Sequence, residues 1–262
     1  MNYKSLLFVP AKEKMLSKIA NFSADAYIID LEDSISPKEK ELALYQTIEY
    51  LNSTDIDAGL FVRVNNEYIL KELSALDSFS KLGFMLPKIE NISIYKNIQG
   101  ILERHFIIGL VETPVGLISI QEIAACEWID ALAFGAEDYT AKACMKNSME
   151  FLSYQKGMLL TYAKANNKKI YDTPSFQIKN KKIFEEEVQS SVDLGFDGKL
   201  AINPKHIESI NKAFNSYEIE LIKNIIKIYE KEAKAVAVID GKVYEKMHID
   251  RLKRILKENE EK

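Results

Sequence analysis

Residues 107–114 read IIGLVETP, and this short stretch indicates both a fold class and a reactive site. Five apolar or small residues typical of a buried parallel strand are followed by Glu112, Thr113 and Pro114. The Glu112 carboxylate is therefore expected at the carboxyl end of a buried element. An ionised group there costs several kcal/mol unless it is paired, hydrogen-bonded or bound to a metal. The rest of the chain has to supply that partner.

Short runs rich in apolar and β-branched residues recur along the chain. They are SLLFV (5–9), AYIID (26–30), LFVRV (60–64), GFMLP (83–87), FIIGLV (106–111), ALAFG (131–135), KIYDT (169–173) and DGKLAI (197–202). Longer amphipathic patterns separate them, as in parallel βα units. No GxGxxG follows the first run, and polar residues end nearly every run. The pattern therefore favours an α/β fold, a closed (β/α)8 TIM barrel, over an open doubly wound sheet.

The amphipathic patterns predict helices over 12–21 and over 37–51, the second opening at Pro37. After residue 214 the pattern changes. A long helix is predicted over 216–232, then an extended piece with a turn in AVAVIDGKVYE, then a helix over 247–258. We therefore predict a barrel domain over 1–214 and a C-terminal lid or arm over 215–262, which caps this barrel or packs on a neighbouring subunit.

Composition argues against several classes of function. The 262 residues are 47% hydrophobic and 28% charged, with a formal charge of -4, which suits a globular protein and argues against a nucleic-acid surface. Cys126 and Cys144 have no CxxC or Cys/His spacing around them, which disfavours structural zinc. The N-terminal apolar run is too short for a signal peptide, and no segment has the apolar length of a membrane span. We expect a cytoplasmic protein that binds neither nucleic acid nor membrane.

Polar residues collect at the carboxyl ends of the predicted strands, where barrel enzymes place their reactive groups. In order, the residues at these ends are Phe8, Pro10, Asp30, Glu32, Asp33, Arg63, Asn65, Lys88, Glu112, Glu137, Asp138, Asp172 and Asn203. The seven carboxylates among them cannot all face one cavity unpaired. A bound Mg²⁺ ion would compensate their negative charge, because it takes one or two protein carboxylates and leaves room for water and substrate oxygens.

Glu112 and Asp138 are the best candidate ligand pair, since each ends an apolar strand and the two strands are consecutive. Two alternatives exist for Glu112, a cap on a helix beginning near Pro114 or an ion pair with Arg63. The alternative for Asp138 is an N-cap for the turn that follows. Each alternative removes one ligand from the proposed metal site.

The other charged strand ends suggest supporting roles. Asp30, Glu32 and Asp33 are candidates for hydrogen bonds to metal-bound water, and the alternative for one of them is a helix N-terminal or surface charge. Asp33 is also a catalytic candidate. The planar fork of Arg63 suits a substrate carboxylate, although a structural salt bridge in the acidic ring is equally consistent. A Schiff base at Lys88 is disfavoured, because surrounding carboxylates raise the pKa of a lysine.

Several segments together resemble one enzyme family. SLLFVPAKEK, ADAYIIDLEDSISPKEK, FVRVN, GFMLPKIE, GLVETPVGL, ALAFGAEDY and LGFDGKLAINPKHIESINKAF are similar to the HpcH/HpaI aldolase and citrate lyase beta-subunit superfamily. The likeness is colinear from about residue 4 to 214 and continues weakly through the tail. It implies a Mg²⁺-dependent barrel that cleaves or forms a carbon–carbon bond by way of an enolate. The implied partners are a CoA or acyl-carrier thioester and a small 2-oxo acid.

The resemblance also implies residue roles. Glu112 in VET and Asp138 in GAED would hold the metal, with Glu112 also at the substrate, and Arg63 in VRVN would bind the substrate carboxylate. The positions that match contacts with a CoA-type substrate are Phe8, Lys14, Lys18, Ile202 and Asn203. By helix position alone, Lys14 and Lys18 would be expected to be solvated. A homotrimer or hexamer is expected by resemblance only.

The tail and three other places depart from the family pattern. The family carries a lid aspartate in a GxMIDxP-like pattern, whereas GKVYEKM places Glu245 and Met247 there. The extra methylene of glutamate moves the carboxylate, and a shift of that size can cost about 100-fold in rate. AINP, VPA and YDTPSFQIKN also differ from the usual residues. We expect a lyase acting on a malyl-CoA or citramalyl-CoA analogue, with thioester hydrolysis or a non-catalytic scaffold as alternatives.

Overall fold

The computed structural model describes residues 3–215, 219–232 and 236–260. Its centre is a closed barrel of eight parallel strands in sequence order, which confirms the predicted fold class. The strands are β1 (Ser5–Pro10), β2 (Ala26–Asp30), β3 (Gly59–Arg63), β4 (Leu82–Leu86), β5 (Ile107–Val111), β6 (Ala131–Phe134), β7 (Lys169–Asp172) and β8 (Gly198–Ala201). Leu6 pairs with Ala26 of β2 on one side and with Leu200 of β8 on the other, so β1 closes the ring.

Helices follow the strands around the outside of the barrel and continue into the tail. They are α1 (Glu13–Leu16), α2 (Lys40–Ser53), α3 (Ile69–Leu76), α4 (Gln99–Leu102), α5 (Pro114–Ile118), α6 (Ile120–Ala125), α7 (Ala136–Ala143), α8 (Ser153–Ala165), α9 (Lys181–Leu194), α10 (Ile207–Asn215), α11 (Ile219–Glu232) and α12 (Lys246–Glu260). Short 3₁₀ turns lie at Ile19–Asn21, Pro37–Glu39, Ile92–Ile98 and Pro204–His206. None of the helices in these described ranges combines the length and apolar character needed to cross a bilayer.

The predicted helix over 12–21 is not one helix. It divides into α1 and the 3₁₀ turn Ile19–Asn21, because the Lys18 N–H bonds to the Met15 carbonyl, three residues back, and breaks the α-helical pattern. The segment predicted over 37–51 likewise begins with a 3₁₀ turn at Pro37 before α2 continues to Ser53.

The barrel interior is filled by one side of each strand. Its core consists of Leu6, Ala26, Ile28, Phe61, Met85, Ile108, Leu110, Ala131, Ala133, Tyr171 and Leu200. Because side chains alternate across a strand, the neighbours of these residues point toward the surrounding helices. Asp172 and Lys199, next to Tyr171 and Leu200, are fully buried there.

The chain forms two compact units, residues 1–211 and 212–262. In the second unit, β9 (Val236–Ile239) and β10 (Lys242–Glu245) pair as an antiparallel hairpin, in agreement with the extended piece predicted there. Its core contains Ile222, Ile225, Ile226, Ala237, Ile239 and Ile249. The predicted start of the first tail helix, at 216, lies outside the described residues. Packing of this unit on a neighbouring subunit stays a prediction.

Candidate active site

A cavity of about 400 Å³ opens among the loops that follow the carboxyl ends of the strands. Its volume lies within the range of small-molecule sites. The residues singled out in the sequence that line it are Phe8, Pro10, Asp30, Asp33, Arg63, Glu112, Glu137, Asp138 and Ile202. Leu110, Phe176 and Leu200 add an apolar wall. The fold therefore brings nine of the candidate residues to one small space.

Glu112 follows β5 and is almost fully buried, with 2% of its surface exposed. Its Oε1 accepts a hydrogen bond from the Lys88 backbone N–H at 2.9 Å. Its Oε2 lies against Gly135, where a Cβ would come within 2.6 Å of that oxygen, so the carboxylate occupies the space of the absent side chain. Burial, followed by the charge of Glu32, raises the pKa of Glu112 to about 8, and Asp138 contributes in the same direction.

Asp138 lies in the first turn of α7 and has Gly135 as the N-cap of its helix. The alternative that Asp138 is itself an N-cap is therefore wrong. The alternative that Glu112 caps the helix at Pro114 is also wrong, because Thr113 occupies that N-cap and accepts from the Gly116 N–H at 3.0 Å. Both carboxylates remain available to the cavity that they line.

The donor set fits a hard divalent cation. Glu112 and Asp138 supply carboxylate oxygens, and the charge of Asp138 helps to raise the pKa of Glu112, an effect that a nearby cation would reverse. Across the described ranges, no group of three or more His, Cys, Asp or Glu residues is arranged as a metal cage. Mg²⁺ commonly binds one or two protein carboxylates and keeps several waters. Two carboxylates beside an open cavity therefore suit Mg²⁺ better than they suit the closed coordination of a zinc or calcium site.

Arg63 ends β3 and is held rigidly by acidic neighbours. Its Nε and Nη2 donate to the two Asp30 oxygens at 2.7 and 2.8 Å, and Nη1 lies 3.0 Å from Glu32 Oε2. Its guanidinium carbon also lies 5.0 Å from the centre of the Phe8 ring. Burial favours the neutral form of Asp30, but the hydrogen bonds and charge of Arg63 outweigh it and hold the pKa of Asp30 below its ordinary value.

The structural salt bridge considered for Arg63 is thus present. The bidentate pair with Asp30 uses two of the five N–H groups of a guanidinium, and Arg63 still lines the cavity. Binding of a substrate carboxylate by Arg63 therefore stays a prediction that the geometry permits.

Lys88 connects two parts of the site, a role that the sequence did not reveal. Its backbone N–H bonds Glu112, and its Nζ donates to Glu32 Oε1 at 2.6 Å. The residue adopts a left-handed backbone with φ of 49°, which is uncommon for a non-glycine residue. Burial lowers the pKa of Lys88, but Glu32, Asp33 and Glu112 together raise it above its ordinary value. This agrees with the argument against a Schiff base.

Asp172 does not join the acidic ring at the cavity, contrary to its place in the sequence-based grouping. It is fully buried behind the barrel wall, where Lys156 Nζ lies 2.9 Å from Oδ1 and Lys199 Nζ lies 3.0 Å from Oδ2. The strand alternation that directs Tyr171 inward directs Asp172 outward. Burial alone would raise the pKa of Asp172, but the two ammonium groups hold it far below its usual range.

Three predicted residues of the first unit, Lys14, Lys18 and Asn203, are not among the residues that line the cavity. Lys14 on α1 and Lys18 after it are exposed, and the Asn203 side chain caps a 3₁₀ turn by accepting from the Lys205 N–H at 3.1 Å. Glu245 ends β10 in the second unit, with an exposed side chain and a backbone N–H that donates to His248 Nδ1. The substrate and catalytic roles of these residues stay predictions.

The buried carboxyl of Glu72, on α3, gives a prediction about how stability depends on pH. Glu72 is 2% exposed and accepts from the Asn65 N–H at 2.7 Å, and burial raises its pKa from 4.5 to about 7. The folded protein then holds a proton that the unfolded chain releases between those values. This part of the stability is complete below pH 4.5 and is lost as pH rises through 7, by about 3 kcal/mol at most.

Glu72→Gln is therefore expected to flatten the pH dependence of unfolding, because the amide cannot ionise and its oxygen can still accept from Asn65. Urea midpoints measured from pH 5 to 8 should fall less steeply in this variant than in the wild type. The exposed Glu67→Gln serves as the control and should follow the wild type. An unchanged slope for Glu72→Gln would contradict the assignment.

Comparison with known proteins identifies the family of the chain. The sequence model of the family described as HpcH/HpaI aldolase/citrate lyase matches residues 4–204. The chain is 29% identical over 259 residues to a (3S)-malyl-CoA thioesterase of Cereibacter sphaeroides, covering 94% of this chain and 91% of that protein. It is 29% identical over 279 residues to citrate lyase subunit beta of Leuconostoc mesenteroides, covering 97% and 92%.

Solved structures give the same result for the fold. The CitE protein of Mycobacterium tuberculosis, in complex with magnesium, acetoacetate and coenzyme A, superposes with a TM-score of 0.81 at 23% identity, covering 97% of each chain. The citrate lyase beta subunit of the same organism, complexed with oxaloacetate and magnesium, has a TM-score of 0.68 at 26% identity, covering 80% of this chain and 96% of that one. The resemblance seen in the sequence motifs is confirmed, and the chain belongs to the HpcH/HpaI aldolase/citrate lyase family.

Proposed function

We propose that this protein is a Mg²⁺-dependent carbon–carbon lyase that acts on the CoA or acyl-carrier thioester of a small 3-hydroxy dicarboxylic acid. The observation that carries the proposal is the buried Glu112 carboxylate, which lines one cavity together with Asp138 and Arg63. Relatives named citrate lyase subunit beta and a solved relative complexed with oxaloacetate and magnesium support the same reading.

Glu112 and Asp138 would hold the metal. When bound, Mg²⁺ would act as a Lewis acid that draws negative charge from the oxygens of the substrate. The chain's own residues supply the surroundings. Lys88 holds Glu112 through its backbone N–H, and the absence of a side chain at Gly135 leaves the space that this carboxylate occupies. These contacts fix the position of Glu112 before substrate arrives.

Arg63 would bind the distal carboxylate of the substrate through the N–H groups that Asp30 and Glu32 leave unused. The volume of about 400 Å³ and the apolar wall of Leu110 and Leu200 suit a short acid rather than a long acyl chain. In this proposal Ile202, 40% exposed at the rim, lies beside the thioester arm. Lys14, Lys18 and Asn203 would meet the carrier farther out.

Cleavage requires removal of the proton of the 3-hydroxyl group. As that proton leaves, the hydroxyl carbon becomes the carbonyl of a 2-oxo acid. The electron pair of the broken bond passes to the α-carbon of the shorter thioester fragment, which then takes up a proton. We assign the proton transfer to Glu245, with Asp33 as a second catalytic candidate at the cavity. The proposal includes a homotrimer or hexamer in which the second unit serves as the lid of a neighbouring barrel, in the cytoplasm.

Thioester hydrolysis is the second candidate. The 29% identity to a (3S)-malyl-CoA thioesterase over 94% of the chain favours it specifically. In this reaction the lid carboxylate would activate water instead of receiving the hydroxyl proton, and the carbon skeleton of the acid would stay intact. The two reactions therefore give different products from one substrate.

The test is incubation with thioesters of 3-hydroxy dicarboxylic acids, with Mg²⁺ or with EDTA, followed by mass spectrometry of the products and a free-thiol assay. A 2-oxo acid with a shorter thioester identifies a lyase, and an intact hydroxy acid with free thiol identifies a thioesterase. The reverse reaction is assayed with a short acyl thioester and 2-oxo acids. Absence of every product in both directions would favour the non-catalytic scaffold.

A further inference from the structure

We infer that Thr173 is a positioning residue for the metal site, because its hydroxyl supplies the N-terminal cap of α7 from a neighbouring strand. The inference rests on the proposed function in one respect, that Asp138 on this helix is a metal ligand. Thr173 follows β7 and is 9% exposed. Its Oγ1 accepts from the Ala136 N–H, the first backbone donor of α7, at 3.1 Å.

The need for an external cap follows from the packing around Glu112. The N-cap position of α7 is Gly135, which has no side chain to accept from the first-turn N–H groups. A side chain there is excluded, because its Cβ would lie 2.5 Å from the Glu112 Cβ and 2.6 Å from Oε2. The helix therefore cannot cap itself without displacing the other proposed ligand, and Thr173 provides the acceptor.

Thr173 is itself firmly anchored. Its carbonyl accepts from Lys199 Nζ at 2.7 Å, and the same ammonium group lies 3.0 Å from Asp172 Oδ2. Lys199 is 1% exposed, so this anchor is shielded from water. A continuous set of buried contacts thus runs from β8 through Thr173 to the first turn of α7.

The consequence concerns the distance between the two proposed ligands. Glu112 is fixed on β5 by the Lys88 N–H, whereas Asp138 depends on where α7 begins. Loss of the cap leaves the buried Ala136 N–H without its acceptor and releases the first turn. Groups that hydrogen-bond a metal ligand directly change metal affinity by about 10- to 100-fold when altered, and Thr173 acts on Asp138 one step farther out, through the helix that carries it.

The test compares Thr173→Val, which keeps the side-chain shape, with Thr173→Ser, which keeps the hydroxyl. Mn²⁺ is the probe, and its dissociation constant is measured by electron paramagnetic resonance in the full-length protein without substrate. Thr173→Val is expected to weaken Mn²⁺ binding by about 10-fold or more, and Thr173→Ser to stay near the wild type. Asn180→Ala, which removes the side-chain cap of α9, is the control and should leave Mn²⁺ affinity unchanged.

A second measurement does not depend on metal. Amide hydrogen exchange over residues 135–139 of the metal-free protein should be faster in Thr173→Val than in the wild type and in Thr173→Ser. Equal exchange in all three proteins, or equally weak Mn²⁺ binding by Thr173→Ser, would overturn the inference. If the wild type binds no Mn²⁺ while exchange still responds to Thr173→Val, the capping role stands and the proposed metal function fails.

Discussion

Glu112→Gln is expected to abolish Mg²⁺-dependent turnover, with a loss of about 1,000-fold or more, the scale of removing a principal stabiliser of transition-state charge. The substitution keeps the shape of the side chain and an oxygen for the Lys88 N–H, but it removes the negative charge that a cation requires. The neutral amide should be tolerated, because burial and the charges of Glu32 and Asp138 already favour the neutral form of Glu112, so the variant should fold at least as well. Calorimetric titration with Mg²⁺ and a turnover assay measure the two effects.

Glu245→Gln is the matched control for this experiment, because it makes the same chemical change in the second unit. It should slow turnover while leaving the Mg²⁺ affinity of the protein as in the wild type. If Glu112→Gln binds Mg²⁺ normally, or if both variants lose metal equally, the assignment of Glu112 as a ligand is wrong.

Asp172→Asn is expected to destabilise the fold more than any other single change proposed for this chain. Asp172 is fully buried, and its carboxylate is shared by Lys156 and Lys199, which lie within 3.0 Å. The amide leaves two buried ammonium groups without a counter-charge. Breaking a buried pair in this way costs about 3–5 kcal/mol, which urea denaturation followed by circular dichroism will measure at pH 7.

Lys181→Met provides the surface comparison, because Lys181 pairs with Glu185 on α9 and is 79% exposed. Its loss should change the unfolding free energy by no more than about 0.5 kcal/mol. The direction in which stability changes with pH also identifies the cluster of Asp172, Lys156 and Lys199. The pKa of Asp172 is lowered in the fold, so its stabilisation is present above the unfolded value near pH 4 and disappears only in stronger acid. A small effect of Asp172→Asn at pH 7 would contradict this account.

The barrel was predictable from sequence because its signals are local. Each buried strand is a short apolar run, and each run, such as IIGLV before Glu112, has nearly the predicted bounds. The convergence of Glu112, Asp138 and Arg63 on one cavity also followed, since parallel strands place their carboxyl ends at the same face of a barrel. These predictions needed no knowledge of which side chains touch.

The side of the barrel wall on which an individual side chain lies was less predictable. Asp172 and Glu112 both follow apolar runs, yet Asp172 turns behind the wall because the last residue of its strand falls on the outer side of the alternation. The same limit applies to Thr173 and Lys88, whose contacts join segments far apart in the chain. A glycine directly before an acidic helix start, as in FGAED, was the available signal for crowding at Glu112.

The crowding at Gly135 also determines how this cavity can be redesigned. The Cβ of any side chain introduced there would lie 2.5–2.6 Å from Glu112 atoms. Substitutions at position 135 are therefore not expected to be tolerated as long as that carboxylate is retained. Ile202 and Phe176 are different, because they are 40% and 51% exposed at the rim and take no part in the ion pairs. Libraries that aim to change the accepted acid should therefore vary these two rim positions and leave the glycine untouched.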